Sequence, residues 1–176
     1  MIGSPWIAAL IAIFSWWFFT GIILLIVRRK DVAGATAHGA SVVWGVPLLA
    51  LGIFGAVISA ASLSVANVYV SFFSVLLIWG WIELAFLSGV ITGPLRDSCP
   101  KSLRGWARFR RAWQTVSHHE ALLLSGLVLM AVIAFDAANP LGFYAYFILF
   151  AARISAKLNL FFGVPRINLE FIPQPL

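Results

Sequence analysis

The side chains in this sequence best placed to do chemistry are a few ionisable groups set inside long apolar runs. Glu83 lies sixteen residues beyond Asn67, about 24 Å along a helix that rises 1.5 Å per residue. Arg153 lies thirteen residues beyond Pro140, about 20 Å along its own helix, and Lys157 follows one turn later. Charged groups at such depth in a bilayer are costly and either pair or face water. The depths match, so the spacing predicts a carboxylate–cation contact between Glu83 and Arg153, or Lys157 if that helix is rotated, within about 4 Å. Arg153 and Lys157 share a face at i, i+4, as do Ser155 and Asn159, giving the helix a polar stripe at the level of Glu83. His118, His119 and Glu120 open another apolar run at the same end. An imidazole there can pair with a carboxylate, or can bind a metal ion or the magnesium of a tetrapyrrole, which makes His119 and Glu120 the candidate pigment or metal ligands. A two-metal carboxylate site normally needs Glu-x-x-His together with further carboxylates on facing helices. Only Glu83, Glu120 and His119 are within reach, so pairing that fixes helix register is the simpler chemistry. His38, in the first basic break, reads as a solvated histidine.

These groups must be positioned by membrane helices. Of 176 residues, 62% are apolar and only 10% charged, against roughly a quarter charged in a soluble domain. That excludes a soluble enzyme, a free nucleic-acid-binding domain and a disordered tail. About 20 apolar residues of helix cross a bilayer core, and five runs fit: about 6–27, 41–61, 67–92, 120–138 and 140–162. Pro47 falls inside the second as an expected kink, and Pro140 suits a helix start. The fold class is therefore all-α, a polytopic transmembrane bundle forming a single domain, with a short tail at 163–176. No internal repeat is present, which weighs against a transporter with a midplane site.

All twelve basic residues fall after the first span, between the third and fourth, or at the end of the fifth and in the tail. The breaks at 62–66 and 136–139 contain none. Because short cytoplasmic loops collect Lys and Arg, the alternation places the N-terminus in the periplasm and the C-terminus in the cytoplasm. The formal charge of +6 thus reports orientation and implies no nucleic-acid partner. The single cysteine, Cys99, cannot form an intrachain disulfide. The first residues lack a positive n-region and a cleavage site, so the first segment is expected to remain as a span. Between Leu103 and Val116, Leu103, Trp106, Phe109, Trp113 and Val116 recur at spacings of three and four. This spacing predicts a separate amphipathic helix lying on the cytoplasmic interface. Its anchors are Trp106 and Trp113, facing inward, and Arg104, Arg108 and Arg111, meeting anionic lipid or an acidic partner.

Several strings occur together: SWWFFTG in the first span, WGWIELAFLSGVITGP in the third, GWARFRRA followed by HHEALLL, and ARISAKLNLFFGVPRINLEFIP near the end. In this order, over almost the whole chain, they resemble the PuhE family of photosynthetic complex assembly proteins of purple phototrophic bacteria. The positions that match are Glu83, His119, Glu120, Arg153, Lys157 and Asn159. Two departures stand out. The family carries a His before the glutamate of the third-span string, where this chain has Ile82, and its tail string is Asn-rich and acidic where this one reads Arg166, Ile167, Asn168, Leu169, Glu170. Family members continue into further membrane segments, so the resemblance implies a shortened member or part of a longer chain.

The resemblance implies residence in the bacterial inner (intracytoplasmic) membrane and a role in assembling reaction-centre and light-harvesting complexes or in handling bacteriochlorophyll. Its partners would be membrane lipids and reaction-centre, light-harvesting or bacteriochlorophyll-synthesis proteins, and its cofactor, where one is bound, a bacteriochlorophyll or a carotenoid. The alternative is an enzyme, or an enzyme subunit, of tetrapyrrole biosynthesis using the Glu83, His119 and Glu120 cluster. Eight tryptophans and fifteen phenylalanines, and the lack of a complete catalytic set, favour the non-enzymatic role.

Overall fold

In the computed structural model, which describes residues 3–33, 35–95, 97, 100 and 102–162, five helices follow one another along the chain. They are α1 (Pro5–Ala33), α2 (Ala35–Ser59), α3 (Val65–Leu87), α4 (Gly105–Ala134) and α5 (Leu141–Phe162). Each is long and apolar enough to cross a membrane. Among the described residues there is no strand. The protein is an all-helical, polytopic bundle. Arg96, Cys99, Lys101 and the tail from 163 onward lie outside the described residues.

The centre of the bundle is α3. Of its apolar window 61% is buried, against 6% for α1, so α3 is the helix the others pack around and α1 lies at the periphery. On one side α2 approaches closely through small residues. A Cβ added at Gly52 would sit 2.9 Å from the Ser74 carbonyl oxygen and 3.0 Å from Ile78 Cγ1. The indole N–H of Trp81 donates to the Val42 carbonyl at 3.0 Å, and Pro47 is carried inside α2 without ending it. On the other side α4 and α5 close the core around Val75, Ile78, Trp79, Ile82, Leu123, Met130 and Tyr146. Tyr146, fully buried, sets its ring edge-on to Trp79 at 5.3 Å and donates its hydroxyl to the Leu123 carbonyl at 3.0 Å. A buried tyrosine is stable there because its polar end is satisfied.

Two of the differences from the expected helix boundaries shape the site. The third span was expected to run to 92, but α3 ends at Leu87. Gly89 takes φ +69°, the left-handed conformation that glycine adopts without a Cβ penalty. The Gly89 N–H then bonds the Phe86 carbonyl at 2.8 Å and the Val90 N–H the Ala85 carbonyl at 3.1 Å, the paired contacts of a Schellman motif. The segment that follows turns back on α4, where the Thr92 carbonyl accepts from the His119 N–H at 3.0 Å.

The second correction concerns the separate interfacial helix expected at 103–116. This stretch is helical from Gly105, yet it runs without a break into the fourth span as one helix of 30 residues, about 45 Å long. No proline or glycine lies between Trp106 and Ser125, so nothing in the backbone ends the helix where the composition changes from basic to apolar.

The end of the bundle without basic residues is held by Asn139. Its Nδ2 donates to the Ser59 carbonyl at 3.0 Å, its N–H to the Ala60 carbonyl at 3.1 Å, and its Oδ1 accepts from the Leu141 N–H at 3.3 Å. One side chain thus caps α5 and ties it to the last turn of α2. Asn139→Ala should cost about 2 kcal/mol, combining a lost helix cap with a lost buried hydrogen bond. Asn139→Asp keeps the cap acceptor and should recover about half of that loss; denaturant unfolding in mixed micelles measures both.

Candidate functional site

Three helices deliver ionisable side chains to one buried place near the basic end. Glu83 comes from the last turn and a half of α3, His119 and Glu120 from the middle of α4, and Arg153 and Lys157 from successive turns of α5. Glu83, His119 and Glu120 are all buried. The expected ion pair is present, with Arg153 Nη2 3.2 Å from Glu83 Oε2. A second pair joins Lys157 Nζ to Glu120 Oε1. The two carboxylates and two fixed cations balance.

Between the pairs sits the imidazole of His119, fully buried. Its Nε2 faces Glu83 Oε1 at 3.7 Å and its Nδ1 faces Glu120 Oε1 at 3.5 Å. Lys157 Nζ stands 3.4 Å from the same Nδ1. Phe86 stacks on the ring at 4.1 Å between centroids, and the Arg153 guanidinium lies 5.3 Å from the centre of the Phe86 ring, within cation–π range. The sandwich Arg153, Phe86, His119 joins α5, α3 and α4 in one packed unit.

This geometry bears on ligation. Each imidazole nitrogen faces a carboxylate oxygen, and one ring face is covered by Phe86. Among the described residues, no group of three or more His, Cys, Asp or Glu side chains is placed to hold a metal ion. What the described side chains show directly is pairing: Glu83 with Arg153, Glu120 with Lys157, and the His119 imidazole between the two carboxylates.

Other expected positions divide. Asn159 is exposed and lies outside the cluster: two residues past Lys157 it has rotated about 200° around α5, so the stripe read from the i, i+4 pairs splits into two faces. His118 is exposed. His38 corrects the expectation of a solvated side chain. It belongs to α2, is 15% exposed, and its Nε2 lies 3.1 Å from Asp31 Oδ1 at the end of α1. Along the basic stretch of α4, Trp106 and Trp113 stand well exposed, at 74% and 49%, while the inward positions are Phe109 and Val116, both half-buried. Trp106 stacks on Phe109 at 5.1 Å, Arg104 occupies the N-cap position without a side-chain capping bond, and Arg111 Nη2 donates to the Asp97 carbonyl at 3.4 Å. Arg108 is exposed on the same stretch. The residues that the sequence reading missed are Phe86 and Thr92, which enclose His119; their types carry no signal of their own, and only the turn at Gly89 brings Thr92 back.

Comparison with known proteins adds three findings. The family described as "Protein of unknown function (DUF3623)" matches residues 2–176. A Rhodobacter capsulatus protein described as "Uncharacterized 30.4 kDa protein in puhA 5'region" is 50% identical over 173 residues. That alignment covers 98% of this chain and 63% of the relative, so the chain spans less than two thirds of the relative's length. No solved structure matches.

Proposed function

The chain belongs to the DUF3623 family of proteins of unknown function, and from that premise we propose that it is a membrane assembly factor or accessory subunit of the bacterial photosynthetic apparatus. The observation that carries this reading is the half-identical relative encoded beside puhA, in a photosynthesis gene neighbourhood. The resemblance of the third-span and fifth-span strings to PuhE proteins points the same way. The physical character of the bundle supports it. The ionic cluster is internally neutralised and its imidazole enclosed, which suits a structural lock better than a reactive centre. The outer faces are broad, apolar and aromatic, with Trp6, Phe14 and Trp17 on α1 and Trp44 and Phe54 on α2 all exposed, a surface suited to lipid, to flat pigments and to other membrane helices.

In this reading the partners are reaction-centre or light-harvesting subunits, or proteins of bacteriochlorophyll synthesis, in the inner membrane. A bacteriochlorophyll or carotenoid is held at a seam between proteins rather than on His119. The basic stretch of α4, with Trp106, Trp113, Arg104, Arg108 and Arg111, contacts lipid headgroups on the cytoplasmic side. Affinity purification from a phototrophic host should recover photosynthetic or pigment-synthesis proteins with the chain. Recovery of the chain alone, with turnover of a tetrapyrrole precursor that is lost on Glu120→Gln, would overturn the proposal in favour of an enzyme.

The proposed orientation puts the basic end in the cytoplasm. Reporter fusions at Ser64 and Gln114 should therefore report opposite compartments, periplasmic for Ser64 and cytoplasmic for Gln114. Both on one side would contradict the arrangement of spans.

A further inference from the structure

The 30 residues of α4 reach about 45 Å, against a bilayer core of about 30 Å. Counted back from Ala134, the core ends near Thr115. The basic half therefore overhangs, and on it Trp106 and Trp113 stand 74% and 49% exposed. Tryptophan is favoured at headgroup level, where its ring and its N–H are both satisfied. Trp106, Phe109, Trp113 and Val116 share one helix face, with Arg108 and Arg110 toward its two flanks. An upright helix leaves much of this face in water, whereas a helix lying flat puts all of it into the interface.

We propose, resting on the reading of this stretch as the part that meets lipid headgroups, that α4 has two positions: on a bilayer rich in anionic lipid it breaks at Ser117 and lays its basic half in the headgroup layer. Charge selects the occupant. Four arginines and no acidic residue lie between Leu103 and Val116, so a negatively charged lipid surface is the complementary one.

The break point is prepared on both sides. A helix that begins anew at Ser117 leaves the N–H groups of His118, His119 and Glu120 without helical acceptors. The His119 N–H already donates to the Thr92 carbonyl at 3.0 Å, outside the helix. Serine is a favoured N-cap, and at that position its hydroxyl accepts from the N–H three residues on, that of Glu120. Two of the three released donors are thus provided for. Toward the basic half, the Thr115 hydroxyl donates to the Ala112 carbonyl at 2.7 Å, a carbonyl near the new helix end, and bonding of this kind loosens a helix where it stands. The pivot is fixed. A Cβ added at Gly93 would sit 2.6 Å from the Thr115 carbonyl carbon, so the turn after α3 lies directly against α4 at this level. Glu120 keeps its pairing with Lys157, and the span beyond Ser117 stays in place. Bending gives up the Arg111 contact with the Asp97 carbonyl, long at 3.4 Å. It gains burial of two tryptophans and the attraction of Arg108 and Arg110 to lipid phosphates. On a neutral bilayer the second gain is missing and the helix stays upright.

The test is a pulsed electron paramagnetic resonance distance between spin labels at Ala107→Cys and Val132→Cys, both exposed positions, on a Cys99→Ser background in nanodiscs. A straight helix separates these positions by about 37 Å, and a right-angled break at Ser117 brings them to about 27 Å. The longer distance is expected in phosphatidylcholine discs and the shorter one in discs made mainly of phosphatidylglycerol. Ser117→Ala should lower the ratio of bent to upright molecules about fivefold, the effect of a lost N-cap. The longer distance in both discs overturns the proposal. Headgroup contact is then judged separately by the label at 107, whose access to a soluble nickel chelate falls in the anionic discs if an upright stretch still meets lipid. The shorter distance in both discs overturns it as well, because lipid charge then does not drive the bend, and so does a Ser117→Ala ratio equal to wild type.

Discussion

Glu83→Gln is expected to destabilise the folded bundle by about 3 kcal/mol, because removing one member of a buried ion pair leaves the other charge without compensation. Arg153 Nη2 has its contact with Glu83 Oε2 at 3.2 Å, and at its depth an isolated cation costs about 2.5 to 3.5 kcal/mol on insertion scales. Arg153→Met should be damaging for the mirror reason, leaving a buried carboxylate and also removing the guanidinium from Phe86. The double variant is the informative one. With both charges gone it should recover most of either single loss, since a buried pair replaced as a whole by apolar groups is often nearly neutral. Unfolding in mixed micelles measures the cycle. Additive losses would show that the two groups do not act on each other.

Gly126→Ala should cost about 3 kcal/mol, at the upper end of overpacking effects. A Cβ there runs into the hydroxyl and ring of Tyr146, with Tyr146 Cζ only 2.7 Å from the added carbon. Tyr146 cannot yield: its ring is fully buried against Trp79 and its hydroxyl is bonded to the Leu123 carbonyl. Relief has to come from α4 and α5 moving apart, which would open the seam that carries Glu120 and Lys157. Tyr146→Phe on the Gly126→Ala background removes the nearest clashing atom and should recover about half of the loss, the ring carbons remaining in the way. The same unfolding assay reads the effect, and a loss below about 0.5 kcal/mol for Gly126→Ala, the size of an ordinary surface change, would mean that the helices are not packed as tightly as described.

The parts of the fold that were readable in advance are those that depend on length and charge. Five apolar runs between breaks, alternately basic and neutral, are five helices, because a bilayer leaves the backbone almost no other way to satisfy its own hydrogen bonds. The rise per residue was enough to set Glu83 and Arg153 at one depth, and they meet. What periodicity could not reveal depends on local backbone events and on neighbours distant in sequence. Gly89 looked like one more small residue in a span until its positive φ ended α3 early. The interfacial stretch and the fourth span differ in composition, which suggested two elements, but a helix ends where its backbone is interrupted and not where its polarity changes. His38 sits in a basic break of the sequence and meets Asp31 only because α1 continues well past its apolar part. Asn139 read as a loop residue, since its bonds reach Ser59, eighty positions away.

The central functional claim concerns the photosynthetic membrane, and the near-infrared absorption spectrum of membranes from a strain lacking the gene tests it most directly. Assembly factors limit how much complex accumulates. The account predicts that the bands of assembled reaction-centre and light-harvesting complexes fall in the deletion strain and return when the wild-type gene is supplied. It also predicts that Glu120→Gln restores them if it folds, because no reaction depends on that carboxylate. An absorption spectrum indistinguishable from wild type in the deletion strain, at the light and oxygen levels that induce these complexes, would contradict the account.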